Sequence, residues 1–176
     1  MFHNPCSIIF TQSYVLSKLI PFQQFHFKTL INWIKDEETM LNFAGIGFQY
    51  PLTEQQLIDY INKYPQRLLF IGLDENLKPV AYGEVIPQEN NSARLGHLII
   101  GESESRGQGL GKKLIQLLIA EAKKQLQISQ MDLFLLEGNQ LAQNCYLNYG
   151  FQFLPNDFVI ILKNKSHNIL KMTLAV

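Results

Sequence analysis

Apolar and polar positions recur along this chain with two different periods, and the switches between them mark its elements. Tyr14 to Ile20 reads as a strand ended by Pro21. Phe25 to Ile34 has helical spacing, and Asp36 to Ala44 reads as a second helix that stops at Gly45. Thr53 followed three residues later by Gln56 resembles a capping box, so Glu54 to Lys63 reads as a third short helix before Pro65. The apolar runs Leu68 to Leu73 and Pro79 to Ile86 are joined by Asp74-Glu75-Asn76, a hairpin loop. A second turn at Glu89-Asn90-Asn91 leads into Ala93 to Ile100, and the three strands make an antiparallel meander. In Leu110 to Gln127, Leu114, Leu117, Leu118, Ala122 and Leu126 share one helical face, with lysines on the others. Met131 to Leu136 is bracketed by helices, which predicts that it adds parallel to Ala93–Ile100 through a right-handed crossover. Ile169 to Val176 alternates weakly and is expected as an edge strand beside one starting at Phe151. The prediction is an α/β fold with a mixed sheet.

Composition narrows the class. At 176 residues with 47% hydrophobic and 17% charged side chains, the chain suits one globular domain with a substantial core. Fifteen basic and fifteen acidic residues balance, so no broad basic field calls for nucleic acid and no polybasic run calls for a membrane surface. Cys6 and Cys145 share no metal-ligand or redox spacing with each other or with the histidines, and read as reduced thiols. Met1 to Phe10 lacks a basic region followed by a long apolar run, and no stretch reaches the roughly 18 apolar residues of a membrane span. The expected location is the cytoplasm.

Candidate chemistry concentrates between Leu95 and Phe151. Glycines at 107, 109 and 111 leave the turn before the long helix free of side chains, so amides of the loop and first helical turn can converge on a phosphate. The helix N-terminus favours an anion, and Lys112 and Lys113 add positive charge beside it. A diphosphate-bearing cofactor suits such a loop. The dinucleotide-binding fingerprint Gly-x-Gly-x-x-Gly does not fit, because the spacing here is Gly107-x-Gly109-x-Gly111 and the motif lies past the chain midpoint. That removes a nucleotide-dependent oxidoreductase.

Arg106-x-x-Gly109-x-Gly111, following a strand and opening a helix, resembles the acyl-CoA pyrophosphate loop of the GNAT N-acetyltransferase superfamily. Asn139, Ala142, Tyr146 and Gly150-Phe151 are similar to the second block of that superfamily in residue type and order. Arg94-Leu95-Gly96 and Cys145-Tyr146 bring the likeness nearest to its bacterial ribosomal-protein and small-molecule acetyltransferases. The resemblance implies a single N-acetyltransferase domain over 1–176 with a cofactor-binding core of about 93–151. It also implies a mixed, mostly antiparallel six- to seven-stranded sheet flanked by helices. The implied cofactor is acetyl-CoA, held by Arg106, Gly107, Gln108, Gly109, Leu110, Gly111, Lys112 and Asn139, with Tyr146 beside its sulfur. Backbone amides of Leu98, Ile99, Ile100 and Gly101 would receive the pantetheine and acetyl carbonyl, though Gly101 departs from the family's branched apolar residue. Relatives often dimerise through edge strands, so a homodimer is compatible with the apolar terminal strand.

A thioester is an activated acyl donor, so the protein need only orient an amine, take its proton, stabilise an oxyanion and protonate the leaving thiolate. Tyr146 lies seven residues after Asn139, nearly two helical turns, so both project from one side of the last helix, and Tyr146 is the expected general acid. Asn139 is expected to cap that helix. For the base, the fourth strand offers His97, the third Glu84, and the fifth reaches Glu137 only at its end, while a water chain to a carbonyl would also serve. Trp33 is expected to pack the first helix against the sheet. The expected reaction is acetyl transfer to a primary amine of a small molecule or a protein. The rival is a catalytically silent acyl-CoA-binding module of the same fold, favoured by the missing carboxylate on the fourth strand.

Overall fold

Seven strand-forming segments build one sheet in the computed structural model, which describes residues 15–101, 108–162 and 165–176. In chain order the elements are β1 (Leu16–Pro21), a 3-10 turn (Gln24–His26), α1 (Phe27–Trp33), α2 (Glu37–Ala44), α3 (Glu54–Lys63), β2 (Leu68–Asp74), β3 (Pro79–Pro87) and β4 (Ser92–Ile100). Then follow α4 (Leu110–Leu126), β5 (Gln130–Leu136), α5 (Gln140–Tyr149), β6 (Gln152–Leu162) and β7 (Lys165–Ala175). The sheet runs β1-β2-β3-β4-β5-β7-β6, and β4–β5 is its one parallel pair. It is the mixed sheet that the pattern predicted, mostly antiparallel as the family resemblance implied.

The end of the chain differs from expectation. β7 is an interior strand, not an edge: it pairs with β5 from Gln130↔Ala175 to Leu136↔Ile169 on one side and with β6 on the other. Its Met172 is completely buried in the α4-side core and most of its other residues are half-buried, so alternation is weak although both edges are paired. β6 is the edge, and it exposes Phe153, Val159 and Ile161.

Helix boundaries follow local chemistry. Asp36 caps α2 by accepting from the Thr39 amide at 2.7 Å, and Gly45 ends it with a left-handed φ of +56°. Thr53 caps α3 by accepting from the Gln56 amide at 3.2 Å. The reciprocal arm of the expected box is absent. The Gln56 side chain instead clamps the preceding loop, accepting from the Gln49 amide at 2.8 Å and donating to the Pro51 carbonyl at 2.9 Å.

The sheet separates two cores. One packs α4, through Leu114, Leu118 and Ala122, against Val85, Leu95, Leu133 and Met172, with α5 at its margin. The other gathers Trp33, Phe43, Leu57 and Tyr60 of the first three helices against Ile71, Tyr82 and Ile99. Trp33 is buried as expected, and its indole occupies the space over Gly101. A Cβ on Gly101 would lie 2.3 Å from the Trp33 Cε2, which explains why this position cannot carry a branched residue. Among the described residues no helix is long and apolar enough to cross a membrane.

Candidate active site

The parallel pairing of β4 and β5 covers only Ser92↔Gln130 to Leu95↔Leu133. Beyond it the strands part: β4 stays with β3 as far as Ile100, while β5 follows β7 to Leu136. A wedge opens through the sheet. At its apex the β3–β4 register slips between Tyr82↔Ile99 and Glu84↔Gly96, so two residues of β4, His97 and Leu98, oppose Gly83 alone. His97 carries a left-handed φ of +48° in this bulge. Gly96 already faces Glu84 and Ile86, and the bulge turns the next side chain, His97, to that same face.

There His97 joins a buried network around Glu84, which is fully inaccessible to solvent. The Tyr60 hydroxyl donates to Glu84 Oε2 at 2.6 Å and the Tyr82 hydroxyl to Oε1 at 2.7 Å. His97 Nδ1 lies 2.8 Å from Oε1 and 3.1 Å from the Tyr60 oxygen. Arg67 donates through Nη1 to the Tyr60 hydroxyl, and that nitrogen is 3.8 Å from Glu84 Oε2. Burial alone would raise the Glu84 pKa. The charge and hydrogen bond of His97, with the bonds from both tyrosines, outweigh burial and hold the carboxyl below its ordinary range. Burial first, and then the Glu84 charge, push the phenols of Tyr60 and Tyr82 above theirs. An ionised carboxylate only accepts, so Nδ1 of His97 is the donor, and in the neutral imidazole the lone pair is then on Nε2. Nε2 faces Gly47, just after α2, where a Cβ would stand 3.3 Å away.

The two base candidates are therefore one unit. Tyr60 and Arg67 complete it and were not anticipated. Their signal is the spacing Tyr60, Tyr64, Arg67, four residues and then three, which keeps all three on one side of α3 and its exit. The Arg67 guanidinium lies 3.9 Å from the Tyr64 ring centre and 4.9 Å from that of Tyr60.

The other predicted residues sit toward the opposite core. Gly109 precedes α4 with a left-handed φ of +82°, and no atom of the described residues lies within 4 Å of the place its Cβ would take. The first turn of α4 has no acidic residue, and Lys112 is exposed there. Gln108 is exposed and Leu110 is buried in the α4 core. A Cβ on Gly111 would meet Cys145 Sγ at 3.1 Å, so this glycine lets α5 pack closely on the start of α4. Burial raises the Cys145 thiol pKa and Lys112 offsets part of that rise. Tyr146, one residue on, packs edge-on against Phe151 with ring centres 5.9 Å apart, and burial pushes its phenol above the ordinary value. Asn139 caps α5 by accepting from the Ala142 amide at 3.2 Å and donates to Asn42 Oδ1 at 3.1 Å, tying α5 to α2. Arg106 and Gly107 lie outside the described residues.

One expectation about the strand amides is corrected. The Gly101 amide donates to the Val80 carbonyl at 2.9 Å within the β3–β4 ladder, so it is not directed at the wedge. Alternation along β4 points the Ile99 amide, opposite Tyr82, the same way and the Ile100 amide toward β5, while Leu98 stands in the bulge.

A cavity of about 390 Å³ opens at the wedge on the Glu84 side. Its walls include His97, Tyr60, Arg67, Arg94 and Phe134. The carboxylate-backed imidazole thus stands at the wedge on the α3 side, while the start of α4 and Tyr146 belong to the opposite core.

A sheet parted in this way, with a helix starting beside the gap, is the architecture of N-acetyltransferases of known structure. The spermidine N-acetyltransferase of Vibrio cholerae, solved with CoA and spermine, superposes with a TM-score of 0.73 at 17% identity, covering 90% of this chain and 94% of that one. The aminoglycoside acetyltransferase AAC(6')-Ib, solved with coenzyme A, gives a TM-score of 0.69 at 13% identity, with 90% and 94% covered. By sequence, a UPF0039 protein of Schizosaccharomyces pombe is 35% identical over 77 residues, 44% of this chain, and the match spans about half of that relative (49%). Residues 27–151 match the Acetyltransferase (GNAT) family, and the chain belongs to that family.

Proposed function

We propose that the protein transfers an acetyl group from acetyl-CoA to a primary amine by direct attack of the amine on the thioester. The observation that carries this reading is the Glu84 carboxylate on Nδ1 of His97, which leaves Nε2 as a base at the wedge. It supplies from β3 the carboxylate that β4 lacks. The side-chain-free Gly109, the acid-free first turn of α4 and exposed Lys112 suit the diphosphate of the cofactor, with Arg106 and Gly107 expected beside them. When bound, acetyl-CoA supplies an activated thioester and needs no covalent enzyme intermediate. His97 takes the proton of the acceptor amine at Nε2, and Glu84 holds the resulting imidazolium in place. Tyr146, kept protonated by its raised pKa, is the donor to the leaving thiolate. Spermidine and aminoglycosides, on which the structural relatives act, support a small-molecule amine as acceptor.

The test is thiol release from acetyl-CoA across a panel of amines, run on the parent, His97→Gln and Tyr146→Phe. Each variant is expected to lose about 10²- to 10⁴-fold in kcat while acetyl-CoA still binds by calorimetry. Tight cofactor binding without turnover of any amine would establish the silent binding module instead.

A further inference from the structure

The cavity at the wedge carries two guanidinium groups, and among the described residues no Asp or Glu lines it. Glu84 lies behind the wall, already bonded by Tyr60, Tyr82 and His97. Asp132, next along β5, is likewise engaged: it accepts from Thr173 Oγ1 at 2.6 Å and Gln130 Nε2 at 2.9 Å and pairs with Lys171 at 3.1 Å. Arg94 lies 5.3 Å from the centre of the Phe134 ring, and no carboxylate among the described residues is within ion-pair distance of it. Arg67 is held by two tyrosine rings, by its Nη1 bond to Tyr60 and by the Glu84 carboxylate 3.8 Å away, and among the described residues its buried Nε has no hydrogen-bond partner. A buried guanidinium N–H is costly to leave unmade, and Nε with Nη2 forms the edge that a carboxylate accepts side-on.

Resting on the reading of this site as the acceptor pocket of an acetyltransferase, we propose that Arg67 and Arg94 receive an anionic group of the acceptor. The substrate is then a small amine that also carries a carboxylate or equivalent oxyanion, an amino acid or close analogue, and not a polycation. The spacing supports it. A single phenol, Tyr60, bridges the base and the cation, lying 3.1 Å from His97 Nδ1 and accepting from Arg67 Nη1. An amine that reaches His97 therefore has its anion only a few bonds away. The remaining wall is mostly apolar, with Leu135, Leu136, Ile160 and Ile169 beside the polar Asn42 around a volume of about 390 Å³, which suits an apolar side chain of single-residue size. A polyamine would bring its extra charges against both arginines.

The experiment compares kcat/KM for matched acceptors, L-phenylalanine against 2-phenylethylamine and L-methionine against 3-(methylthio)propylamine, with spermidine alongside. The parent is expected to prefer each carboxylate-bearing partner, and Arg94→Met to lower that preference by about 10- to 100-fold, the worth of one charged hydrogen-bonded contact. Comparing the ratio between proteins cancels the difference in amine basicity. Equal use of both partners, or a preference for spermidine, overturns the proposal while leaving acetyl transfer intact. If no amine is turned over, the acetyltransferase reading fails, and calorimetry with N-acetyl-L-phenylalanine still decides the anion site. Binding that Arg94→Met weakens at least tenfold sustains it, and no binding, or binding unchanged in the variant, overturns it.

Discussion

Replacing Glu84 by glutamine keeps the shape of a fully buried side chain and removes its charge, so it isolates what the carboxylate does. Three donors converge on it, Tyr60 on Oε2 and Tyr82 and His97 on Oε1. An amide that keeps its oxygen toward Tyr82 and His97 presents NH₂ to the Tyr60 hydroxyl, which already accepts from Arg67, so one O–H is left without an acceptor. That stranding costs about 1–3 kcal/mol, and converting two charge-assisted hydrogen bonds to neutral ones costs about 1 kcal/mol each. The sum, about 3–5 kcal/mol, agrees with the cost of breaking a buried charge pair and corresponds to a Tm lower by roughly 6–20 °C. The pH dependence has a definite sign. The Glu84 carboxyl is held below its ordinary value, so its contribution is complete above about pH 4.5 and fades as acid protonates it through the lower folded pKa. Calorimetric unfolding of parent and variant should therefore differ most above pH 4.5 and converge at lower pH. In thiol release, an amide cannot stabilise the imidazolium, and kcat should fall by about 10²- to 10⁴-fold. A variant within roughly 0.5 kcal/mol of the parent, the range of an ordinary surface substitution, or one that keeps full turnover, would refute the network as drawn.

Other outcomes follow from single contacts. Gly101→Ala drives a methyl into the Trp33 indole and should destabilise by about 1–3 kcal/mol, with Trp33→Leu recovering part of the loss in the double variant; a parent-like Tm would remove the close approach. Gly109→Asp meets none of the described residues, so beyond about 1 kcal/mol of left-handed backbone strain its effect should be on cofactor affinity, a tenfold or greater rise in Kd by calorimetry at about 1.4 kcal/mol; unchanged affinity would detach the diphosphate from this helix end. The phenol of Tyr146 has a raised pKa and stays protonated below pH 10, so Tyr146→Phe should lower kcat without moving either limb of the pH profile; a shifted limb would make the tyrosine the titrating base. Gly47→Ala puts a methyl beside His97 Nε2 and should raise KM for the amine several-fold while leaving acetyl-CoA affinity alone, since it sits across the sheet from α4.

What was legible in the chain was whatever one element decides by itself. The stop at Gly45, the cap at Thr53, the face of Leu114, Leu118 and Ala122, and the crossover to β5 are local or periodic, and each stands as read. The place of β7 was not, because only its Met172 is buried, in the α4-side core, and a strand of mostly half-buried residues shows the same weak alternation whether its edges are paired or open. Glu84 and His97 were each readable as candidates, yet their union depends on the bulge that turns His97 out of strand alternation. No period-two pattern encodes that turn. Tyr60 and Arg67 come from a helix exit remote in sequence, and only tertiary packing brings them to the carboxylate. The Gly101 amide was assigned to the cofactor through likeness, but strand alternation gives it to Val80.

The bulge at His97 resolves a conflict that a regular sheet could not. Without it, Gly96 and His97 would face opposite cores, and the imidazole would point at α4, away from the acceptor cavity. With it, β4 keeps its ladder to β3, gives up its pairing with β5 beyond Leu95, and presents His97 to Glu84. The departure that opens the gap is therefore the same one that positions the base beside it. Strain at one left-handed histidine, of the order of 1–3 kcal/mol, is offset by the charged hydrogen bond that its imidazole makes with Glu84. It follows that opening and chemistry are coupled. A residue that removes the carboxylate partner relaxes the bulge, and with it the wedge through which a cofactor on the α4 side and an amine on the α3 side must meet.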